Sequence, residues 1–65
     1  MPVISVSMGK ADKAQKKELI AKLTASAVEV TGIPASSFTV LIDEFDYESL
    51  GVGGRTLEEI FAEKA

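Results

Sequence analysis

Alternation sets the pattern at the start of the chain. In residues 3–8, VISVSM, Ile4, Val6 and Met8 fall on one side and Val3, Ser5 and Ser7 on the other. A period of two with β-branched residues predicts a strand. Gly9-Lys10-Ala11 breaks it, and the period then lengthens. Leu19, Ile20, Leu23, Ala27 and Val30 recur at spacings of three and four, which marks the buried face of a helix. Lys13, Lys16, Lys17, Lys22 and Glu29 mostly fall elsewhere. Asp12 is a good N-cap, and Gln15 three residues later can close a capping box. Gly32 suits the C-cap and Pro34 forbids continuation. These signals predict a helix from about 13 to 31.

Alternation returns in residues 38–45, FTVLIDEF. Phe38, Val40 and Ile42 share one face; Thr39, Leu41 and Asp43 share the other. A strand, a long helix and a second strand make a βαβ unit, whose crossover joins parallel strands. The helix can cover only one face of a two-stranded sheet. Val3 and Leu41 on the opposite face predict that another subunit covers it. The stretch DYESLGVGGRTL carries Gly51, Gly53 and Gly54 and predicts a short hairpin or arm. In LEEIFAEKA, Leu57, Ile60 and Phe61 share a helical face, so a final turn or two of helix docking on a neighbour is expected. The fold class is α/β (α+β). A βαβ unit with parallel strands and a C-terminal Gly-rich hairpin or arm assembles into multi-subunit sheets. Residues 1–65 form a single domain.

Composition sharpens the case for assembly. A chain of 65 residues buries only about 60% of the surface its unfolded form exposes. Small chains add disulfides, a metal or partner subunits. There is no cysteine, which excludes disulfides and thiolate metal sites. There is no histidine, which removes the commonest transition-metal ligand and the usual neutral-pH base. Oligomerisation remains, and 46% apolar residues are more than one small unit easily hides. The net charge of −3, with signs interleaved, shows no basic stripe of the kind that binds nucleic acid. No apolar run approaches the roughly 20 residues of a membrane span. The N-terminus lacks the charged-then-apolar order of a signal peptide. A soluble, cytoplasmic homo-oligomer is expected.

Few residues can carry chemistry. GVGG lacks the Gly-Lys-Ser/Thr ending and the strand-to-helix setting of a phosphate loop, and reads as a turn. Asp43, Glu44, Asp46 and Glu48 do not have calcium-loop spacing and read as a solvated acidic turn, so no metal site is assigned. Lys10 and Arg55 are each either surface cations or anion clamps. Pro2 has two readings. Proline lacks an amide hydrogen and suits the first residue of a strand. Alternatively, Met1-Pro2 is a junction at which the initiator methionine is usually trimmed, leaving a secondary amine. A model α-amino group titrates near about 7.7–8.0. Apolar burial and nearby cations lower that value and make a general base.

The N-terminal PVISV, the AQKKELI helix opening, the VTGIP helix end, the FTVLIDE strand and the LGVGG arm together resemble the 4-oxalocrotonate tautomerase family. The resemblance runs in order from Pro2 to about Gly54. It implies a βαβ protomer, dimers with a four-stranded sheet, and usually a homohexamer. It also implies cofactor-free catalysis, in which the N-terminal proline amine moves a proton between enol and ketone. Pro2 matches that proline. The family's carboxylate-binding arginine after the first strand corresponds to Lys10, which keeps the charge but loses the planar fork. Its second-strand arginine corresponds to Thr39, which supplies no cation. The pocket aromatic before the arm corresponds to Leu50, with Tyr47 as a partial substitute, and Val52 fits the aliphatic arm position. Arg55 is a candidate to replace the lost arginine from a neighbouring subunit. The expected substrate is a small carboxylate, a 2-hydroxydienoate or 2-oxo acid. Two alternatives stay open. One is a dehalogenase or decarboxylase using the same proline protonated; the other is a non-catalytic oligomeric binding protein of this fold.

Overall fold

A computed structural model describes residues 1–63. Strand β1 (Val3–Met8) leads through the Gly9–Asp12 turn into helix α1 (Lys13–Thr31). A 3-10 turn at Ala35–Ser37 precedes strand β2 (Thr39–Glu44). A second 3-10 turn (Tyr47–Ser49) leads to strands β3 (Gly51–Val52) and β4 (Arg55–Thr56), and the last described element is helix α2 (Leu57–Glu63). The predicted α1 range and β1 range are met, and β2 is one residue shorter at each end than the alternation suggests.

Strands β1 and β2 pair in parallel, with Ile4 opposite Val40, Val6 opposite Ile42 and Met8 opposite Glu44. Alternation then sorts the faces. Ile4, Val6, Met8, Val40 and Ile42 are half-buried, while Val3, Ser5, Ser7, Leu41 and Asp43 are exposed. Pro2 fits the start of the ladder because it acts there only as an acceptor. Its carbonyl takes the Thr39 N–H at 3.0 Å, and its missing donor is not called upon.

Helix α1 starts on the anticipated capping box. The Asp12 carboxylate accepts from the Gln15 amide at 2.8 Å, and the Gln15 side chain accepts from the Asp12 amide at 3.0 Å. It ends on Gly32 in the left-handed conformation (φ 74°), whose N–H reaches the Val28 carbonyl. The inward face is not the one predicted throughout. Leu19, Leu23 and Ala27 are half-buried as expected, but Ile20 is 41% exposed, and Val30 is 85% exposed with Val28 in its place. A 19-residue helix is about 28 Å long, whereas the six residues of β1 span about 20 Å. The contact stripe therefore drifts to Thr24, Ala27 and Val28 in the last turns, and Val30 lies past the sheet.

The arm is a two-residue hairpin. Val52 faces Arg55, and Gly53 and Gly54 turn the chain with φ of 63° and 84°. Two successive positive φ values define the type I′ geometry that matches strand twist, and glycine reaches it without steric cost. Helix α2 then folds back on its own protomer. Tyr47 and Phe61 meet edge to face with centroids 4.9 Å apart. Phe61 stays 46% exposed, so part of the face expected to dock on a neighbour is left open. The last two residues of the predicted tail, Lys64 and Ala65, lie outside the described residues.

No described residue is buried outright. The protomer extends 45 × 24 × 15 Å with a radius of gyration of 15.3 Å, against about 11 Å for a compact chain of this length. Among the described residues, no helix is long and apolar enough to cross a membrane.

Candidate active site

The parallel sheet has two ends, and the candidate residues divide between them. At one end Pro2 lies beside Thr39, joined by the carbonyl-to-amide bond that opens the ladder. Thr39 directs its hydroxyl at the Met1 sulfur, 3.6 Å away. In this chain Met1 acylates the Pro2 nitrogen, which is then an amide without basicity. Met1 itself is 90% exposed.

Lys10 lies at the other end of β1, beyond about 20 Å of extended strand. It therefore does not meet the Pro2 of its own protomer. Its ammonium stands 3.6 Å from the Asp46 carboxylate, with both groups largely exposed. The two residues line an open recess of about 420 Å³ together with Tyr47, Glu48 and Glu58. Gly9 makes this corner possible. A β-carbon there would stand 3.0 Å from Tyr47 Cε1 and 3.9 Å from Leu50 Cδ1. Leu50 is thus drawn to the Lys10 end, and its carbonyl accepts from the Leu57 amide at 2.8 Å to close the base of the arm.

Val52 projects from the arm and is 62% exposed. Arg55, its cross-strand partner, is committed elsewhere in the protomer. Its guanidinium grips the Glu63 carboxylate with two bonds, one of 2.9 Å from Nη1 to Oε2 and one from Nη2 to Oε1. The structure thus gathers Lys10 and Leu50 at one corner, holds Val52 and Arg55 on the adjoining arm, and sets Pro2 apart.

Two residues that read from sequence as part of a solvated acidic turn have definite work here. Glu44 ends β2 on the helix-facing side. Its Oε2 accepts from the Ala11 amide at 3.1 Å and its Oε1 from Lys16 Nζ at 2.6 Å. The Lys16 bond, then the Ala11 bond, holds its carboxyl below the ordinary value near 4.5. Glu44 therefore ties the turn bearing Lys10 to β2 and α1. A signal for it exists: positions 40, 42 and 44 alternate inward, and a charge on that face needs a partner. Asp46, the partner of Lys10, has no comparable signal. Among the described residues no group of acidic side chains is arranged to hold a metal ion.

Comparison with known proteins agrees with this architecture. The family model described as "Tautomerase enzyme" matches residues 2–60. A probable tautomerase of Bacillus cereus is 38% identical over 61 residues, covering 91% of this chain and 98% of its own length. The crystal structure of TomN, a 4-oxalocrotonate tautomerase homologue in the tomaymycin biosynthetic pathway, superposes with a TM-score of 0.94 at 31% identity. It covers 98% of this chain and 100% of its own. DmpI from Archaeoglobus fulgidus superposes with a TM-score of 0.83 at 38% identity, covering 88% of this chain and 98% of its own. With the βαβ unit, the glycine arm and these matches over nearly the whole chain, the protein belongs to the tautomerase family.

Proposed function

We propose that this chain is a cofactor-independent keto-enol tautomerase whose base is the Pro2 amine, released when Met1 is removed. The observation that carries the reading is the placement of Pro2. Its carbonyl is bonded into the sheet, while its nitrogen is joined to a methionine that is 90% exposed. Removing Met1 leaves a rigid secondary amine at the mouth of the sheet. The amine takes a proton from the hydroxyl of a 2-hydroxydienoate or related enol. The electron pair moves through the conjugated system, and the proton returns to a carbon of the same substrate, giving the 2-oxo acid. Nothing is oxidised or reduced, and no cofactor is called for.

Lys10 holds a substrate carboxylate, and Leu50 and Val52 exclude water so that the neutral amine is favoured. Because Lys10 and Pro2 of one protomer lie at opposite ends of β1, the Lys10 that serves a given Pro2 comes from a neighbour. A homohexamer, the assembly implied by the family resemblance, supplies such neighbours. Arg55 is free to serve only where the assembly releases it from Glu63.

The test begins with intact mass. Native protein lacking one methionine supports the reading, and full retention of Met1 sinks it. The trimmed protein is then assayed for ketonisation of 2-hydroxymuconate and phenylenolpyruvate. Pro2→Ala is expected to lower kcat/KM by about a hundredfold or more, the scale of a lost general base.

A further inference from the structure

We propose that Asp46 is a specificity-determining residue that tunes the site toward substrates with one carboxylate and against dicarboxylates; this rests on the reading of Lys10 as a carboxylate clamp. The argument is one of charge. Among the described residues, Lys10 is the only cation lining its recess, and it already faces Asp46 at 3.6 Å. Glu48 and Glu58 line the same recess, so one cation stands among three carboxylates.

The other candidate cation adds nothing in the protomer. Arg55 is held by Glu63 in a two-bond grip. Thr39, beside Pro2, is neutral. A single substrate carboxylate displaces Asp46 from Lys10 and leaves one ion pair in place of another. A second carboxylate has no further cation in the recess to meet and enters a recess that Glu48 and Glu58 also line. Two like charges a few ångströms apart repel even near a protein surface. The net charge of −3 acts in the same direction on approach, more strongly for a dianion than for a monoanion. Tyr47, which also lines the recess, offers the uncharged end of such a substrate an aromatic surface.

The test compares kcat/KM for a monoanionic enol, phenylenolpyruvate, with that for a dianionic one, 2-hydroxymuconate. The trimmed wild-type protein is expected to favour the monoanion. Asp46→Asn removes the competing charge and is expected to raise the ratio of dianion to monoanion kcat/KM by about five- to tenfold, chiefly through KM. Glu58→Gln, on a different element, is expected to move the ratio in the same direction by less. Added salt is expected to narrow the wild-type preference, because screening weakens the repulsion. If both substrates turn over and neither substitution moves the ratio, the assignment of Asp46 is overturned while the tautomerase reading stands. If the dianion is preferred by the wild type, the proposal also fails. If neither substrate turns over in trimmed protein, the tautomerase reading itself fails and takes this one with it.

Discussion

At the scale of single residues, the proposed site is organised by carboxylates as much as by Pro2 and Lys10. On the proposed reading, Lys10 carries the charge that a substrate carboxylate meets, but on a flexible stem. Its replacement by alanine is expected to raise KM about ten- to a hundredfold, the worth of a hydrogen bond to a charged group, with a smaller fall in kcat. Steady-state kinetics on phenylenolpyruvate separates the two. Lys10→Arg is expected to restore binding, because the planar fork meets a carboxylate with two bonds. Glu44 contributes differently, by fixing the turn that bears Lys10. Its carboxyl is held below the ordinary value by Lys16 and the Ala11 amide, so the ionised form is favoured in the folded state. The stabilisation is therefore present above the unfolded-state value. It is lost as pH falls through the lowered folded-state value. Glu44→Gln is expected to reduce stability at neutral pH and to lose stability less steeply than the wild type below about pH 5. Urea unfolding midpoints of the two proteins across that range provide the check.

Elements are legible in the sequence where a local rule fixes them. Asp12, Gln15, Gly32 and Pro34 mark both ends of α1, because caps are read within a few residues. Asp12→Ala is expected to cost about 1 kcal/mol, the usual worth of an N-cap, in chemical unfolding. The arm glycines are legible as a turn, and the structure adds why two are needed. Gly53→Ala and Gly54→Ala each place a β-carbon at positive φ and are expected to cost about 1–2 kcal/mol. That cost is expected to appear as faster amide exchange across the arm. Helix α2 carries a start signal of its own in Thr56-Leu57-Glu58-Glu59, a pattern easily missed beside the glycines. The Thr56 hydroxyl oxygen accepts from the Glu59 amide at 3.1 Å, and the Glu59 carboxylate accepts from the Thr56 amide at 3.3 Å. What is not legible depends on distance in space. Val30 has the right period for burial but outruns the sheet, and no spacing along the chain says where a sheet stops. The pairings Lys10–Asp46 and Arg55–Glu63 and the contact of Tyr47 with Phe61 likewise join segments whose approach only the folded chain fixes.

For the whole molecule, the absence of any outright buried residue among those described is the governing fact. Val3 is 52% exposed and Leu41 50% exposed on the sheet face that α1 does not cover. Leu41→Lys is expected to yield smaller species in sedimentation, with a thermal midpoint that falls further as protein is diluted.

On the proposed tautomerase reading, the separation of Pro2 from Lys10 gives assembly a role in catalysis as well as in stability. About 20 Å of strand keeps these residues apart within one protomer, so the proposed site takes one from each of two chains. A Pro2→Ala chain still offers Lys10, and a Lys10→Ala chain still offers Pro2. Neither variant alone contains a complete site in any pairing of its own copies. When the two are unfolded together and reassembled in equal amounts, random mixing gives about a quarter of interfaces the intact Pro2 from one chain and the intact Lys10 from the other. Activity is expected to recover to about that fraction of wild type. Were Lys10 to serve the Pro2 of its own chain, every mixed site would lack one of them, and the mixture would show no more than the sum of the separate variants.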